Sequence, residues 1–303
     1  MNIFITGGTG FLGRHITEYL TNQDHNIVIL DNFSNSDSKI SLTSDKIKII
    51  EGDILDYSKL ANSMKNMDLV IHLAAQISVK DSITNPDNTM KINVQGTQNL
   101  LDSCIENKIQ NFIAASSAAV FGNQSVMPLT EEYSKNPISP YGKSKLMMEE
   151  KIIEFSKIHK LNSIILRFFN LYGPGQSRQY AGVITKFLEN IKKDTNLEIY
   201  GNGEQTRDFI HVNDAISSFD LAIKNIDGKV GKIYNVGSGT SITILELAQL
   251  LLEISGKNLK IIHKSELEGD IIHSQTSIEK IKNELDFFPK ISLESGLKQF
   301  FLT

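Results

Sequence analysis

An apolar run over residues 2–6 ends in Gly7-Gly8-Thr9-Gly10-Phe11-Leu12-Gly13. A helix-period run over 11–20 and a second apolar run over 27–30, closing at Asp31, come next. Few arrangements constrain a chain more. The loop satisfies GxxGxxG from Gly7 and GxGxxG from Gly8, and it sits between a strand and a helix. Glycines there let backbone amides approach a pyrophosphate at a helix N-terminus, where the dipole favours negative charge. Asp31 stands eighteen residues beyond Gly13. A carboxylate in that place accepts hydrogen bonds from both adenosine ribose hydroxyls and repels a 2′-phosphate. The expected cofactor is therefore NAD rather than NADP, with Gly7, Gly10, Phe11, Leu12, Gly13 and Asp31 around it. The plainer alternative is a glycine-rich turn with a solvated aspartate. Gly52-Asp53 after the third strand offers a carboxylate to the adenine amino group, or an ordinary turn with a capping aspartate.

The alternation continues with expected strands over 47–50, 69–73, 112–115 and 163–167. Helical stretches fall near Leu60 and over 92–107 and 141–157. Strands interleaved with helices imply an α/β fold: a Rossmann-type, doubly wound parallel sheet covered on both faces. After Phe169 the loops lengthen, Gly173-Pro174-Gly175 and Gly201-Asn202-Gly203 punctuate the chain, and the strands at 197–200 and 233–236 are short. This predicts an NAD-binding domain over 1–169, to which the segment near 208–226 returns, and a smaller α/β substrate-binding domain over 170–303. With 303 residues, 40% of them hydrophobic, the chain can bury one large core or two moderate ones. A net charge of −4 gives no global pull toward nucleic acid or anionic membranes. A small charged ligand is the expected partner. The N-terminal residues lack a basic stretch and a long apolar run, so a soluble, cytoplasmic protein is expected.

Tyr141 and Lys145 lie four residues apart, one helical turn, on one face. Composition alone supplies such a pair by chance. Its weight comes from Ser116-Ser117 at the end of the fifth strand, because strand ends on that edge of an open parallel sheet face the cofactor crevice. A hydroxyl and a phenol can then converge on one substrate oxygen.

With these residues in view, the sequence resembles the extended short-chain dehydrogenase/reductases, specifically the NAD-dependent nucleotide-sugar epimerases and dehydratases. The likeness runs through residues 6–13, Asp31-Asn32, Gly52-Asp53, residues 72–75, 93–97, 116–122, 141–145, 167–176 and 207–214. It implies that Tyr141 is the general base, its phenol lowered toward neutrality by Lys145 and the nicotinamide charge. It implies that Lys145 also holds the nicotinamide ribose and that Ser117 bonds the reacting hydroxyl. Asn32, Asp53, Ile54, Leu73, Ala74, Ala75 and Asn93 are implied in cofactor binding.

Dehydratases of this superfamily carry Asp-Glu directly after the catalytic hydroxyl residue, because elimination needs an acid and a second base. Here those positions are Ala118 and Ala119. The segment is similar to that of UDP-glucose 4-epimerases, and the resemblance implies oxidation at C4, rotation of a bound 4-keto sugar, and return of the hydride to its other face. Rotation requires an anchored nucleotide, and the resemblance implies the anchors: Asn170 and Arg207 toward the diphosphate, Ile199 and Tyr200 beside the uracil, Val183 and Ile184 along the pocket, and Asp270. Arg207 is informative because the chain has only four arginines, at 14, 167, 178 and 207. An ion pair with Asp208 or Asp214 is its alternative use, and core packing is the alternative for Tyr200. Two positions depart from the epimerase pattern. Leu267 occupies the usual arginine slot, with Lys264 a conceivable substitute. Ser274 replaces a bulky tyrosine and leaves room for an N-acetyl group. Ser78 and Ser82 are either sugar contacts or helix caps.

The histidines, at 15, 25, 72, 159, 211, 263 and 273, show no metal-ligand spacing, so no metal is expected. His72, ending a buried strand, reads as a satisfied core histidine. Cys104, the single cysteine, reads as core packing. Relatives pair the helices over 92–107 and 141–157 with a second copy, which implies a homodimer. The rival readings are a 4-ketosugar reductase, an epimerase acting on a nucleotide other than UDP, and an NAD-sensing regulator.

Overall fold

The computed structural model describes residues 1–35, 44–176, 182–266 and 271–302. The first half of the chain alternates strand and helix. The strands are β1 (Asn2–Thr6), β2 (Asn26–Asp31), β3 (Ile47–Glu51), β4 (Leu69–His72), β5 (Asn111–Ser117) and β6 (Asn162–Phe168). Between them run α1 (Phe11–Asn22), α2 (Tyr57–Ser63), the short α3 (Val79–Thr84) and α4 (Pro86–Met90), α5 (Gly96–Glu106) and α6 (Pro140–His159). After β6 come β7 (Asn170–Tyr172), α7 (Val183–Lys192), β8 (Leu197–Tyr200), β9 (Thr206–Arg207), β10 (Phe209–His211), α8 (Val212–Lys224) and β11 (Lys232–Val236). The last elements are β12 (Ile242–Thr243), α9 (Ile244–Ser255), β13 (Ile261–Lys264), α10 (Glu279–Leu285) and α11 (Leu293–Lys298).

Seven of the strands form one parallel sheet in the order β11-β6-β5-β4-β1-β2-β3. The crossover direction reverses between β1 and β4, which makes a crevice at the carboxyl ends of the strands. Successive side chains alternate across the sheet, so Ile3 and Ile5 enter one core and Phe4 the other. The first core joins β1, β4 and β6 to α1 and α8 through Ile16, Leu20, Ile216 and Phe219. The second buries Leu60, Leu100, Leu101, Cys104, Met148 and Ile152 from α2, α5 and α6. A third core, around Phe187, Leu197, Ile199, Leu247 and Leu251, holds α7, α9 and β8 together.

Two local features differ from the sequence expectation. The strand over 233–236, placed with the later part of the chain, pairs with β6 and forms an edge of the seven-stranded sheet. Its apolar Tyr234 and Val236 complete the first core, a long-range fit that short-range pattern does not carry. The continuous helix over 92–107 is instead a π-helical turn, Lys91–Gln95, leading into α5. That turn carries Asn93 inward, where its amide accepts from the Gln76 backbone N–H (2.8 Å) and donates to the Gln76 carbonyl (3.0 Å) and Ser144 Oγ (2.8 Å).

Candidate active site

A cavity of about 1080 Å³ opens along the carboxyl edge of the sheet. Each of the first six strands supplies its walls at that end: Gly7 after β1, Asp31, Asp53 after β3, Leu73 to Ala75 after β4, Ser117, and Phe169-Asn170 after β6. The far wall comes from later elements, with Val183 and Ile184 opening α7, Ile199 and Tyr200 on β8, and Arg207 on β9.

The glycine loop is packed to the limit. Gly7 has φ +70°, and a Cβ on it would stand 2.7 Å from the Ala74 nitrogen; a Cβ on Gly13 would stand 2.1 Å from the Gly7 carbonyl oxygen. Gly10 caps α1 without a side chain, which leaves the first amides of that helix without a side-chain acceptor. Asp31 accepts from the Thr9 N–H (3.0 Å) and the Phe33 N–H (2.9 Å), which aim its carboxylate and leave lone pairs for further donors. Beside it, Asn32 Nδ2 donates to Asp53 Oδ2 (2.9 Å), and Leu55 N–H bonds the other Asp53 oxygen (2.9 Å). Phe11, Leu12 and Ile54 also line this end. An amide-rich helix N-terminus beside an oriented carboxylate fits a dinucleotide.

At the middle of the cavity Ser117 ends β5 and caps a single 3-10 turn, Ala118–Val120, by accepting from the Ala119 N–H (3.2 Å). Tyr141 lies in the first turn of α6, which Ser139 caps through the Gly142 N–H (3.1 Å) and where Pro140 suits a first-turn position. Both side chains line the cavity. In the protein by itself the phenol is not lowered as expected. Burial pushes it up, and the Ser117 hydroxyl pulls weakly the other way. Lys145 Nζ donates to the Ala115 carbonyl (3.0 Å). Burial lowers the Lys145 ammonium to about 8, against the pull of Glu149.

At the far wall Asn170 Nδ2 donates to the Asp208 carbonyl (3.1 Å) and Arg207 Nη1 to the Thr206 carbonyl (2.8 Å). The carboxylates of Asp208 and Asp214 are engaged by backbone amides. Those of Ser238, Gly239 and Thr276 serve Asp208, and those of Lys290 and Ile291 serve Asp214. Tyr200 is 37% exposed, so it is a wall residue rather than a core aromatic. Lys264 pairs with Glu198 (3.2 Å), itself on the cavity wall.

Several sequence candidates stand back from the cavity. Asn93 is bonded to the backbone of Gln76, which does line it. Ser78 caps α3 by accepting from the Asp81 N–H (3.1 Å), and Ser82 donates to the Val79 carbonyl (2.6 Å) inside the same helix. Ser274 is buried, its N–H toward Thr206 Oγ1 (3.4 Å). Asp270 and Leu267 lie outside the described residues. Gln76, Phe168, Lys186 and Gln205 line the cavity without having been anticipated. For Phe168 and Gln76 the available signal was adjacency to a strand end. No cluster of metal-ligating side chains occurs among the described residues, and no helix among them is long and apolar enough to cross a membrane.

The NAD dependent epimerase/dehydratase family model matches residues 3–237. A putative UDP-glucose 4-epimerase of Methanocaldococcus jannaschii is 33% identical, over 98% of this chain and 96% of its own. A UDP-N-acetyl-alpha-D-glucosaminuronate decarboxylase of Bacillus cytotoxicus is also 33% identical, over 97% and 95%. A dTDP-D-glucose 4,6-dehydratase of Dictyostelium discoideum is again 33% identical, over 84% and 62%. Among solved structures, the UDP-glucose 4-epimerase of Thermotoga maritima with UDP-glucose superposes with a TM-score of 0.94 at 33% identity, covering 99% and 98%. The UDP-N-acetylglucosamine 4-epimerase of Methanobrevibacter ruminantium, in complex with UDP-N-acetylmuramic acid, gives 0.94 at 32%, covering 99% and 98%.

Proposed function

The chain belongs to the NAD dependent epimerase/dehydratase family, and from that premise we propose that it is a nucleotide-sugar 4-epimerase. It interconverts UDP-glucose and UDP-galactose and accepts their N-acetyl forms. The observation that carries this reading is the chemistry missing from the turn directly after Ser117. Ala118 and Ala119 form a bare 3-10 turn, so neither position offers the acid or second base that elimination across C5 and C6 requires. Epimerase relatives and structural neighbours support it, while dehydratases and a decarboxylase at similar identity mark the chemistry it must be distinguished from.

NAD, when bound, supplies a reversible acceptor for the hydrogen on C4. The glycine loop and Asp31 hold its pyrophosphate and adenosine ribose, and Lys145 its nicotinamide ribose. Tyr141 takes the C4 hydroxyl proton, and Ser117 fixes the oxygen that loses it. The N-terminus of α6 and the Lys145 ammonium favour the phenolate. Asn170, Arg207, Ile199 and Tyr200 anchor the nucleotide while the 4-keto sugar turns. Tyr141 then returns the proton to the C4 oxygen as the hydrogen comes back to C4 on its opposite face. Because net redox is zero, no external reductant is consumed.

A homodimer through α5 and α6 accords with the exposure of Ile105, Met147 and Ile158 on those helices; light scattering at micromolar concentration should give twice the chain mass. The activity is tested by incubating the purified protein with NAD and UDP-glucose, UDP-N-acetylglucosamine or UDP-glucuronic acid, without reductant, and resolving products by NMR. Formation of the matching galacto epimer is expected. Loss of water or carbon dioxide, or no conversion of any of the three, would contradict the reading.

A further inference from the structure

Lys145 is followed, one turn along α6, by Glu149 on the same helix face. Glu149 is 1% exposed and takes two bonds from Arg167 of β6, Nε to Oε1 (2.8 Å) and Nη2 to Oε2 (2.6 Å). Arg167 is equally buried. It stands opposite Ser116 in the β5 and β6 register, its guanidinium lies 5.1 Å from the Phe121 ring centroid, and its Nη1 reaches the Glu131 carbonyl (3.5 Å). The ion pair therefore ties the catalytic helix both to the strand beside Ser116-Ser117 and to the segment that leaves Ser117. None of the proton or binding steps above uses either residue. A buried pair is also no efficient source of stability, since apolar side chains of the same volume often do as well.

We propose that Glu149, held in place by Arg167, is a positioning residue for Lys145, keeping its ammonium charged and seated at the sheet edge. The inference rests on the proposed reading in that Lys145 is given its role there. The groups around Lys145 are Tyr141 and Glu149 from α6, the Ala115 carbonyl and Ser117 from β5, and neutral His72 from β4. Met148 Sδ lies 3.8 Å from its Nζ, and beyond Glu149 stand Arg167 from β6 and Lys135, which donates to the Glu131 carbonyl (2.7 Å). Glu149 is the one anion of this set. Burial alone drives Lys145 toward its neutral form, and the Glu149 carboxylate opposes that. A neutral lysine would neither favour the Tyr141 phenolate nor bind ribose hydroxyls as a charged donor.

The test uses Glu149→Gln, Glu149→Asp and the double variant Glu149→Met/Arg167→Met. The double variant replaces the pair by apolar side chains and carries the test if the unpaired arginine keeps Glu149→Gln from folding. The readout is an NMR titration of ¹³Cε-labelled lysine in NAD-saturated protein, with the Lys145 resonance identified by its loss in Lys145→Arg. The Lys145 midpoint is expected to fall by about one unit in the Gln and double variants and to recover in Glu149→Asp. The alkaline limb of kcat should move down with it, while KM changes less than about twofold. A Lys145 midpoint in the double variant equal to that of the parent protein, or an alkaline limb that stays put, would overturn the proposal and leave the pair a structural tie. The titration needs no substrate. If no sugar nucleotide turns over, the epimerase reading falls while the midpoint still decides this inference.

Discussion

Ser117 at the end of a strand and Tyr141 at the start of a helix, twenty-four residues apart in the chain, meet on the wall of one cavity, where the Ser117 hydroxyl draws the Tyr141 phenol down against the rise that burial causes. If the phenol is the proton acceptor, Tyr141→Phe keeps the ring packing and removes only the titrating group. Turnover should fall about 10²- to 10⁴-fold, with the circular dichroism spectrum and NAD affinity little changed. Retention of more than about a tenth of the parent kcat would assign the proton to another group.

Asp31 is aimed into the cavity by two backbone amides. Asp31→Asn keeps one acceptor and removes the charge that repels a 2′-phosphate. The preference for NAD over NADP, measured by calorimetric titration of both dinucleotides, should narrow about ten- to a hundredfold, the worth of one charge-assisted contact.

His72 lies between Thr6 Oγ1 (2.8 Å) and Thr97 Oγ1 (2.9 Å), and burial holds its pKa down to about 3. The unfolded chain takes up a proton near pH 6.5 that the folded one refuses. This contribution to stability is therefore complete above about pH 6.5 and is lost as pH falls toward about 3. Urea unfolding near pH 7 and pH 4.5 should show the parent losing about 2 to 3 kcal/mol more than His72→Gln over that interval. Equal losses in the two proteins would mean that the imidazole is protonated in the fold.

Arg207 lines the cavity beside Asn170, while the neighbouring carboxylates of Asp208 and Asp214 are engaged by backbone amides. Arg207→Leu should raise KM for the sugar nucleotide about ten- to a hundredfold with a smaller effect on kcat, as expected for loss of one phosphate contact. Steady-state kinetics at saturating NAD separates the two constants.

How far the sequence carried is clear from particular elements. The glycine loop was legible because each glycine has a steric reason: a side chain at Gly7 or Gly13 would collide with backbone. Strand ends pointed to the cavity because parallel strands put their carboxyl ends on one edge. Tyr141 and Lys145 were legible as one helical turn, yet the environment of Lys145 was not. Its carbonyl partner comes from β5, thirty residues earlier, and the arginine that holds Glu149 from β6, eighteen residues on. The burial of the Tyr141 phenol was not legible either, since burial is a property of the packed site rather than of the motif. Strands β9 and β12 are two residues each, too short to show a period of two. The cap formed by Ser78 became distinguishable from a ligand contact only once α3 had a direction.

The central claim, that a hydrogen leaves C4 and returns to the same carbon, is tested most directly with UDP-glucose deuterated at C4. Incubated with the protein and NAD in ordinary water, it should yield UDP-galactose with the deuterium still at C4, read by ¹H and ²H NMR. Epimerisation with the deuterium lost to solvent would contradict the account.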